Sequence, residues 1–333
     1  MEVNLVLELG GSYISIYKKN AGLIYREASL LAVGMSGGQY EIKGFGNDAK
    51  TLASIEDPNL NIFSPFSSGK IKSFDYAQLL LTLIMKKINL KENVLPYNAV
   101  LLTNCGLDMQ TKEEFKKLLK SCGINVKYFI PSVFGLANAS GHLEEMSTSM
   151  LVCDIGSQKT DVAVLNKNGI LYGSSISLGG KSMTMGVMNM LEERYNFQVS
   201  LFVSERIKEE LASLANFDNS TIDVKGFDLH SKEEKVITIK AQDIREVLTT
   251  YFEEIIRQIT GILNMCSDEV LKQIKMNGFL LGGQVSKTIG IEQYFKNRLT
   301  IMAVCVEDVE VSAILGLGKL LKNKAMLQKI SYE

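Results

Sequence analysis

Histidine, proline and paired cysteine are scarce in this sequence, and each shortage closes off a class of chemistry. Only His142 and His230 occur in 333 residues, and neither has a Cys or His at ligand spacing. That argues against a zinc site and leaves a histidine-based triad little to work with. The cysteines at 105, 122, 153, 266 and 305 show no close pair. Cys122 falls on the apolar face of an expected helix and Cys153 in an apolar strand, so they read as buried thiols of a reducing compartment. With four prolines and no long Ser/Gly tract, the chain has no loose linker, and its parts must be closely connected.

Charge of one sign is missing too. Lys+Arg 36 against Asp+Glu 37 leaves a net charge of −1, so no bulk basic field steers the chain to nucleic acid. No apolar run is long enough to cross a bilayer: Leu79 to Met85 is interrupted by Thr82 and followed by Lys86 and Lys87. The opening Met1-Glu2-Val3-Asn4 lacks a basic region and is not expected to act as a secretory signal. A hydrophobic fraction of 46% with 22% charged residues fits a folded cytosolic α/β protein of two domains or one large one.

What is present is an internal repeat. The segment from Asn4 reads Leu-Val-Leu-Glu8-Leu-Gly10-Gly11, then the apolar Tyr13–Tyr17, then Gly22-Leu-Ile-Tyr25. The segment from Met150 reads Leu-Val-Cys-Asp154-Ile-Gly156-Ser157, then Thr160–Leu165, then Gly169-Ile-Leu-Tyr172. Each copy is an apolar strand ending in an acidic residue, a glycine turn, a second strand, and a third strand after a Gly. The expectation is a β-hairpin turning at Gly10-Gly11 and again at Gly156-Ser157, with a carboxylate beside the free N–H groups of the turn. Two such units imply two related domains facing each other across a cleft.

Strands and helices alternate elsewhere. Thr111 to Cys122 carries helical periodicity through Phe115, Leu118, Leu119 and Cys122, with Thr111 and Glu114 as an expected capping box and Gly123 as the stop. Val100–Thr103 and Val126–Ile130 read as flanking strands. Ile244 to Ile259 holds a helical period, and Ile222–Val224 with Val236–Lys240 reads as a hairpin. The whole predicts mixed sheets covered by helices.

A third glycine turn, Gly278-Phe-Leu-Leu281-Gly282-Gly283-Gln284, follows an apolar strand. Glycines at such junctions let backbone approach a ligand, and their N–H groups suit anions. The three turns and two acidic strand ends together predict hairpins that hold phosphates, carboxylates that hold a hydrated Mg²⁺, and a third turn beside adenosine. The competing reading makes Glu8 and Asp154 simple turn caps, Thr160 a strand hydroxyl, and Glu205 with Lys208 a surface ion pair.

These residues resemble the actin, heat-shock chaperone ATPase and sugar kinase superfamily, and within it the MreB-type bacterial actins, along nearly the whole chain. Glu8-Leu9-Gly10-Gly11 is similar to the first phosphate motif, and Asp154 to Val164, with Gly156, Lys159 and Thr160, to the second. Ile176 to Gly179-Gly180 resembles the strand and turn that open the second domain's helical subdomain. Ser204-Glu205-Arg206-Ile207-Lys208 resembles the family helix whose Glu and Lys approach ribose and base. Leu280-Leu281-Gly282-Gly283 resembles the adenosine motif, and Val306–Asp308 with Gly316–Gly318 the closing segment.

The resemblance implies two related actin-like (ribonuclease H-like) domains flanking a nucleotide cleft, each with a smaller subdomain. It implies residues 1–140 completed by 310–333 as the first domain and 141–309 as the second. It implies ATP or ADP with Mg²⁺, the metal held through water by Glu8 and Asp154, and head-to-tail filaments serving cell shape or intracellular organisation. Asn93-Val94-Leu95-Pro96 matches a loop that touches membrane in the family, and is equally readable as an ordinary turn. A non-polymerising adaptor and a small-molecule kinase on the same fold are the alternatives.

The departures bear on catalysis. Glu8 stands where the family has Asp, Ser157-Gln158-Lys159 replaces a glycine-rich loop, Lys181 follows Gly180, and Gln284 replaces a glycine. The helix opening that carries a water-orienting Gln or Glu in the family aligns here to Ile130 by the proline anchor at Pro131, the preferred register. Counting back from Gly141 it aligns to Ser132 instead. Neither residue has a carboxylate's reach, so ATP hydrolysis is expected to be weak or absent.

Overall fold

The computed structural model describes residues 2–36, 39–55, 57–90, 96–141, 143, 147–166 and 168–332. The expected membrane loop at Val94 and Leu95, and His142, lie outside the described residues.

The first half begins with β1 (Leu5–Leu9), β2 (Tyr13–Lys18) and β3 (Gly22–Ala28). A small three-stranded sheet follows, from β4 (Leu31–Ser36), β5 (Gln39–Phe45) and, after α1 (Asn47–Ala53), β6 (Leu60–Phe63). A tight hairpin of β7 (Phe66–Ser67) and β8 (Lys70–Ile71) leads into α2 (Phe74–Lys87). The half closes with β9 (Tyr97–Thr103), α3 (Met109–Ser121), β10 (Ile124–Pro131) and α4 (Ser132–Ala139).

The second half opens in the same way, with β11 (Met150–Ile155), β12 (Thr160–Asn166) and β13 (Gly169–Ile176). Its smaller part holds α5 (Gly180–Tyr195), β14 (Phe197–Gln198), α6 (Leu201–Leu211), β15 (Thr221–Asp228), β16 (Glu234–Lys240) and α7 (Ala241–Leu263). Then come α8 (Asp268–Asn277), β17 (Phe279–Gly282), α9 (Ile291–Leu299), β18 (Ala303–Cys305), α10 (Ser312–Leu320) and α11 (Lys324–Ile330).

The two large sheets have the same order. One runs β10-β9-β1-β2-β3 and the other, read from its far edge, β18-β17-β11-β12-β13. In each, the hairpin strands pair antiparallel and the remaining two join in parallel. The repeat seen in the sequence is thus a repeat of topology.

Strand parity decides which residues meet. Leu5, Leu7 and Leu9 of β1 are buried in an outer core against α2 and α3. Leu151, Cys153 and Ile155 of β11 are buried in the other outer core, against α5 and α7. Since side chains alternate across a sheet, Val6 with Glu8, and Val152 with Asp154, face inward. Val6 and Val152 share a central core with α4, α10 and α11. In that layer α4 and α10 cross with backbones touching: a Cβ on Gly135 would lie 2.1 Å from the Ala313 carbonyl oxygen, and one on Gly316 1.9 Å from that of Gly135. Any side chain at either position would force these helices apart.

One helix start differs from the expected one. Asp108, not Thr111, caps α3, accepting the Thr111 N–H at 2.7 Å and its hydroxyl at 2.9 Å. Asp caps as well as Thr and begins the helix earlier, placing Thr111 inside the first turn. Glu114 instead accepts from Gln110 Nε2 at 3.0 Å, one turn back. All five cysteines are free thiols, three of them buried.

Candidate functional site

The turns between β1 and β2 and between β11 and β12 are built alike. Gly10 N–H donates to the Tyr13 carbonyl at 2.9 Å, and Gly156 N–H to the Lys159 carbonyl at 2.9 Å. Both line a cavity of about 160 Å³ between the two halves. Glu8, Gly10, Gly11, Asp154, Gly156, Lys159 and Gly283 line it, so the structure brings these expected residues together. Gly283 needs its glycine: its φ is 81°, and a Cβ would lie 2.6 Å from Asp154 Oδ1.

Other expected residues sit one step back. Thr160 is fully buried and donates to the Leu178 carbonyl at 2.8 Å, the strand-hydroxyl arrangement. Gly180 N–H donates to the Gly156 carbonyl at 3.0 Å, and a Cβ on Gly179 would lie 2.6 Å from that same oxygen. The Gly179-Gly180 turn therefore braces the second phosphate-type loop from behind. Lys208 is not an exposed ion-pair partner; its Nζ donates to the Gly180 carbonyl at 3.0 Å and to Thr184 Oγ1 at 2.8 Å. Burial holds its pKa below the usual lysine value. Glu205, on the same helix α6, contributes to the field at Lys50 of α1, whose Nζ stands 6.0 Å from the Phe202 ring. Gly282 packs on α4, where a Cβ would lie 2.4 Å from a Leu136 methyl.

The two registers for the helix opening are separated by burial. Ile130 is fully buried in the central core with Val133 and Ile314, so the preferred proline anchor puts no side chain in the cleft. Ser132, the first residue of α4, does line the cleft, and its hydroxyl donates to Asp154 Oδ2 at 2.5 Å. The actin count is the one that reaches the site. The proline anchor fails because β10 continues through Pro131 before α4 begins, which keeps Ile130 on a buried strand.

Several site residues escaped the sequence reading. Asp161 pairs with Asp154 across the second hairpin, as Ser15 pairs with Glu8 across the first. Its Oδ1 accepts the Cys105 N–H at 2.8 Å. The hairpin alternation carried this signal, because the residue opposite an inward carboxylate also faces inward. Arg26 lines the cleft from β3, its guanidinium 4.2 Å over the Tyr13 ring and 3.8 Å from Glu310, which also pairs with Lys287. Nothing in its local sequence marks it.

Three inward-facing carboxylates, Asp161 buried and Glu8 and Asp154 partly so, crowd negative charge at the cleft. Burial pushes Glu8 up to about 7, the Asp154 charge adding to the shift while Arg26 opposes it. Asp161 is likewise pushed up to about 7 by burial and then by Asp154. Burial also raises Asp154, against the hydrogen bond from Ser132. Such a set favours protons or a cation until its charge is matched. Among the described residues, two polar atoms lining the cleft, Arg26 Nε and Thr103 Oγ1, are buried without a hydrogen-bond partner. Orphaned donors beside turn N–H groups fit an anionic group, and the carboxylates fit a divalent cation between it and the strands. Among the described residues no His/Cys/Asp/Glu cluster is close enough to hold a metal by direct ligation.

The MreB/Mbl protein family matches residues 2–329. MreB of Escherichia coli strain K12, a cell shape-determining protein, is 24% identical over 323 residues, covering 96% of this chain and 93% of its own. The cell shape-determining protein Mbl of Bacillus subtilis strain 168 is 21% identical over 324 residues, covering 97% of each chain. A crystal structure of MreB5 of Spiroplasma citri bound to AMPPNP superposes with a TM-score of 0.89 at 22% identity, covering 98% of this chain and 97% of the other. A MamK double helical filament superposes with a TM-score of 0.79 at 17% identity, covering 96% of this chain and 99% of the other.

Proposed function

Because this chain belongs to the MreB/Mbl family, we propose that it is an actin-like cytoskeletal protein that binds ATP or ADP with Mg²⁺ between its halves and assembles head to tail into filaments. The observation that carries this reading is the pair of matching glycine hairpins facing one cavity, with Glu8, Asp154 and Asp161 turned inward beside them. It is supported by AMPPNP-bound and ADP-bound MreB5 structures and by the MamK filament, all of this fold.

In this reading the Gly10–Tyr13 and Gly156–Lys159 turns hold the phosphates through backbone N–H groups, and Lys159 adds charge. Glu8, Asp154 and Asp161 hold Mg²⁺ through its water shell, which when bound neutralises the phosphate oxygens. The Gly283-Gln284 turn flanks the nucleoside, with Lys208 and Glu205 on the ribose side. Residues 1–140 with 310–333 form one domain and 141–309 the other, a division supported by the two sheets and by α10 crossing α4.

The cavity of about 160 Å³ is smaller than the roughly 300–1,000 Å³ of ordinary small-molecule pockets, so the halves must part to admit a nucleotide. Nucleotide then sets the angle between them, and with it the fit of the end surfaces that stack subunits. A head-to-tail contact does not close on itself and so grows filaments.

Sedimentation of the purified chain, followed by negative-stain microscopy, tests this. A pelletable fraction above a threshold concentration with Mg-ATP, made of protofilaments, is the expected result. A monomer at all concentrations with nucleotide bound contradicts assembly and favours an adaptor role; phosphate transfer that depends on a small-molecule acceptor favours a kinase.

A further inference from the structure

Gln158 is one of the side chains through which the two faces of the cleft touch. It belongs to the turn between β11 and β12, yet its Oε1 accepts the Ser68 N–H of the first half at 2.6 Å. Its amide also lies on Gly11, where a Cβ would stand 2.3 Å from Oε1 and 2.6 Å from Nε2. The bare glycine of one hairpin therefore makes room for a side chain from the other.

Ser68 and Gly69, between β7 and β8, have φ values of 49° and 74°. This tight turn presents the Ser68 N–H to the cleft, among the same set of backbone donors that suits a phosphate. An amide oxygen that receives this N–H does what a phosphate oxygen would do there. Gln158 also accounts for part of the small cavity, since it lies between the two turns that line it.

We propose that Gln158 stands in for the terminal phosphate and makes the cleft selective for nucleoside diphosphate over nucleoside triphosphate. The inference rests on the nucleotide reading above and deepens it. A diphosphate leaves the Gln158–Ser68 bridge in place. A triphosphate must displace the amide from Ser68 and Gly11, which loses the hydrogen bond between the halves and leaves the displaced amide to find new partners. The lost hydrogen bond alone corresponds to about a tenfold weakening.

The test is calorimetric titration of the full chain with ADP and with AMPPNP, each with Mg²⁺. The wild type is expected to bind ADP about tenfold more tightly than AMPPNP. Gln158→Gly and Gln158→Ala should bring the two affinities to within about threefold, by strengthening AMPPNP and leaving ADP nearly unchanged. Equal affinities in the wild type overturn the inference without any variant. So does a preference for ADP that survives in a variant with a wild-type melting curve. If both ligands bind equally, the inference alone fails. If neither ligand binds any of the proteins, the nucleotide reading fails with it.

Discussion

The first hairpin and the second share a backbone and divide the chemistry. Their strands pair in the same register, their turns close with the same hydrogen bond, and both carry a bulge in the outer strand pair. Yet the first offers bare Gly10-Gly11 and a serine opposite its carboxylate, while the second offers Ser157-Gln158-Lys159 and an aspartate opposite its own. The repeat fixes geometry in both halves. The turn side chains then differ: the second hairpin projects Gln158 and Lys159 into the cleft, and the first leaves bare backbone against which Gln158 lies.

Hydrolysis is where this division should show most. The residue of α4 that reaches the cleft is Ser132, already bonded to Asp154, and it lacks the reach of a Gln or Glu. Loss of a positioning group costs about 10²–10⁴ in rate, so phosphate release should be near background. Release within tenfold of an MreB that carries Gln or Glu at this helix start, assayed side by side, would break the account. Ile130→Glu cannot repair the site, because it would put a carboxylate into the central core and unfold the chain.

The two carboxylates at about 7, one in each hairpin, predict a pH effect of the next size. Both are raised above their unfolded values, so the folded state binds more protons between about pH 4 and 7. Their stabilising contribution is complete below the unfolded values and is lost as pH rises through 7. For Asp161 the full loss is about 4 kcal/mol. Denaturant melts of the nucleotide-free chain should weaken from pH 5 to 7.5, with a flatter slope in Asp161→Asn and in Glu8→Gln. A stability that rises over this range would contradict the buried-carboxylate picture.

Smaller effects sharpen the contrast between the turns. A Cβ on Gly10 would lie 2.8 Å from the Tyr13 carbonyl oxygen, whereas one on Gly156 would lie 3.1 Å from that of Lys159. Gly10→Ala should cost about 1–3 kcal/mol and Gly156→Ala less, read from urea midpoints. Equal costs would mean that the turns relax alike. Ser132→Ala should cost about 1 kcal/mol or less, by removing one hydrogen bond to Asp154.

The legibility of this site follows from what local sequence encodes. The hairpins were readable because alternation and glycine turns are local, and parity alone sends Glu8 and Asp154 inward. Asp161 was readable in principle from the same parity. The choice between Ile130 and Ser132 was not, because whether β10 stops at Ile130 or runs on through Pro131 is decided by its pairing with β9. Arg26 and Gln158 act on partners distant in the chain, Glu310 and Ser68, and no local pattern encodes such a contact. The start of α3 is ambiguous in the sequence because Asp108 and Thr111 are both competent caps, and the choice rests on how the preceding loop approaches.

The proposed function has both hairpins hold one nucleotide and Asp154 hold its metal. The direct measurement is the melting temperature of the wild type and of Asp154→Ala across a series of Mg-ADP concentrations. Ligand at 100 times its Kd stabilises by about 2.7 kcal/mol, so the wild type should rise by several degrees in a concentration-dependent way, and Asp154→Ala should lose most of that rise. A wild-type curve unchanged at millimolar Mg-ADP, or a shift that survives intact in Asp154→Ala, would contradict it.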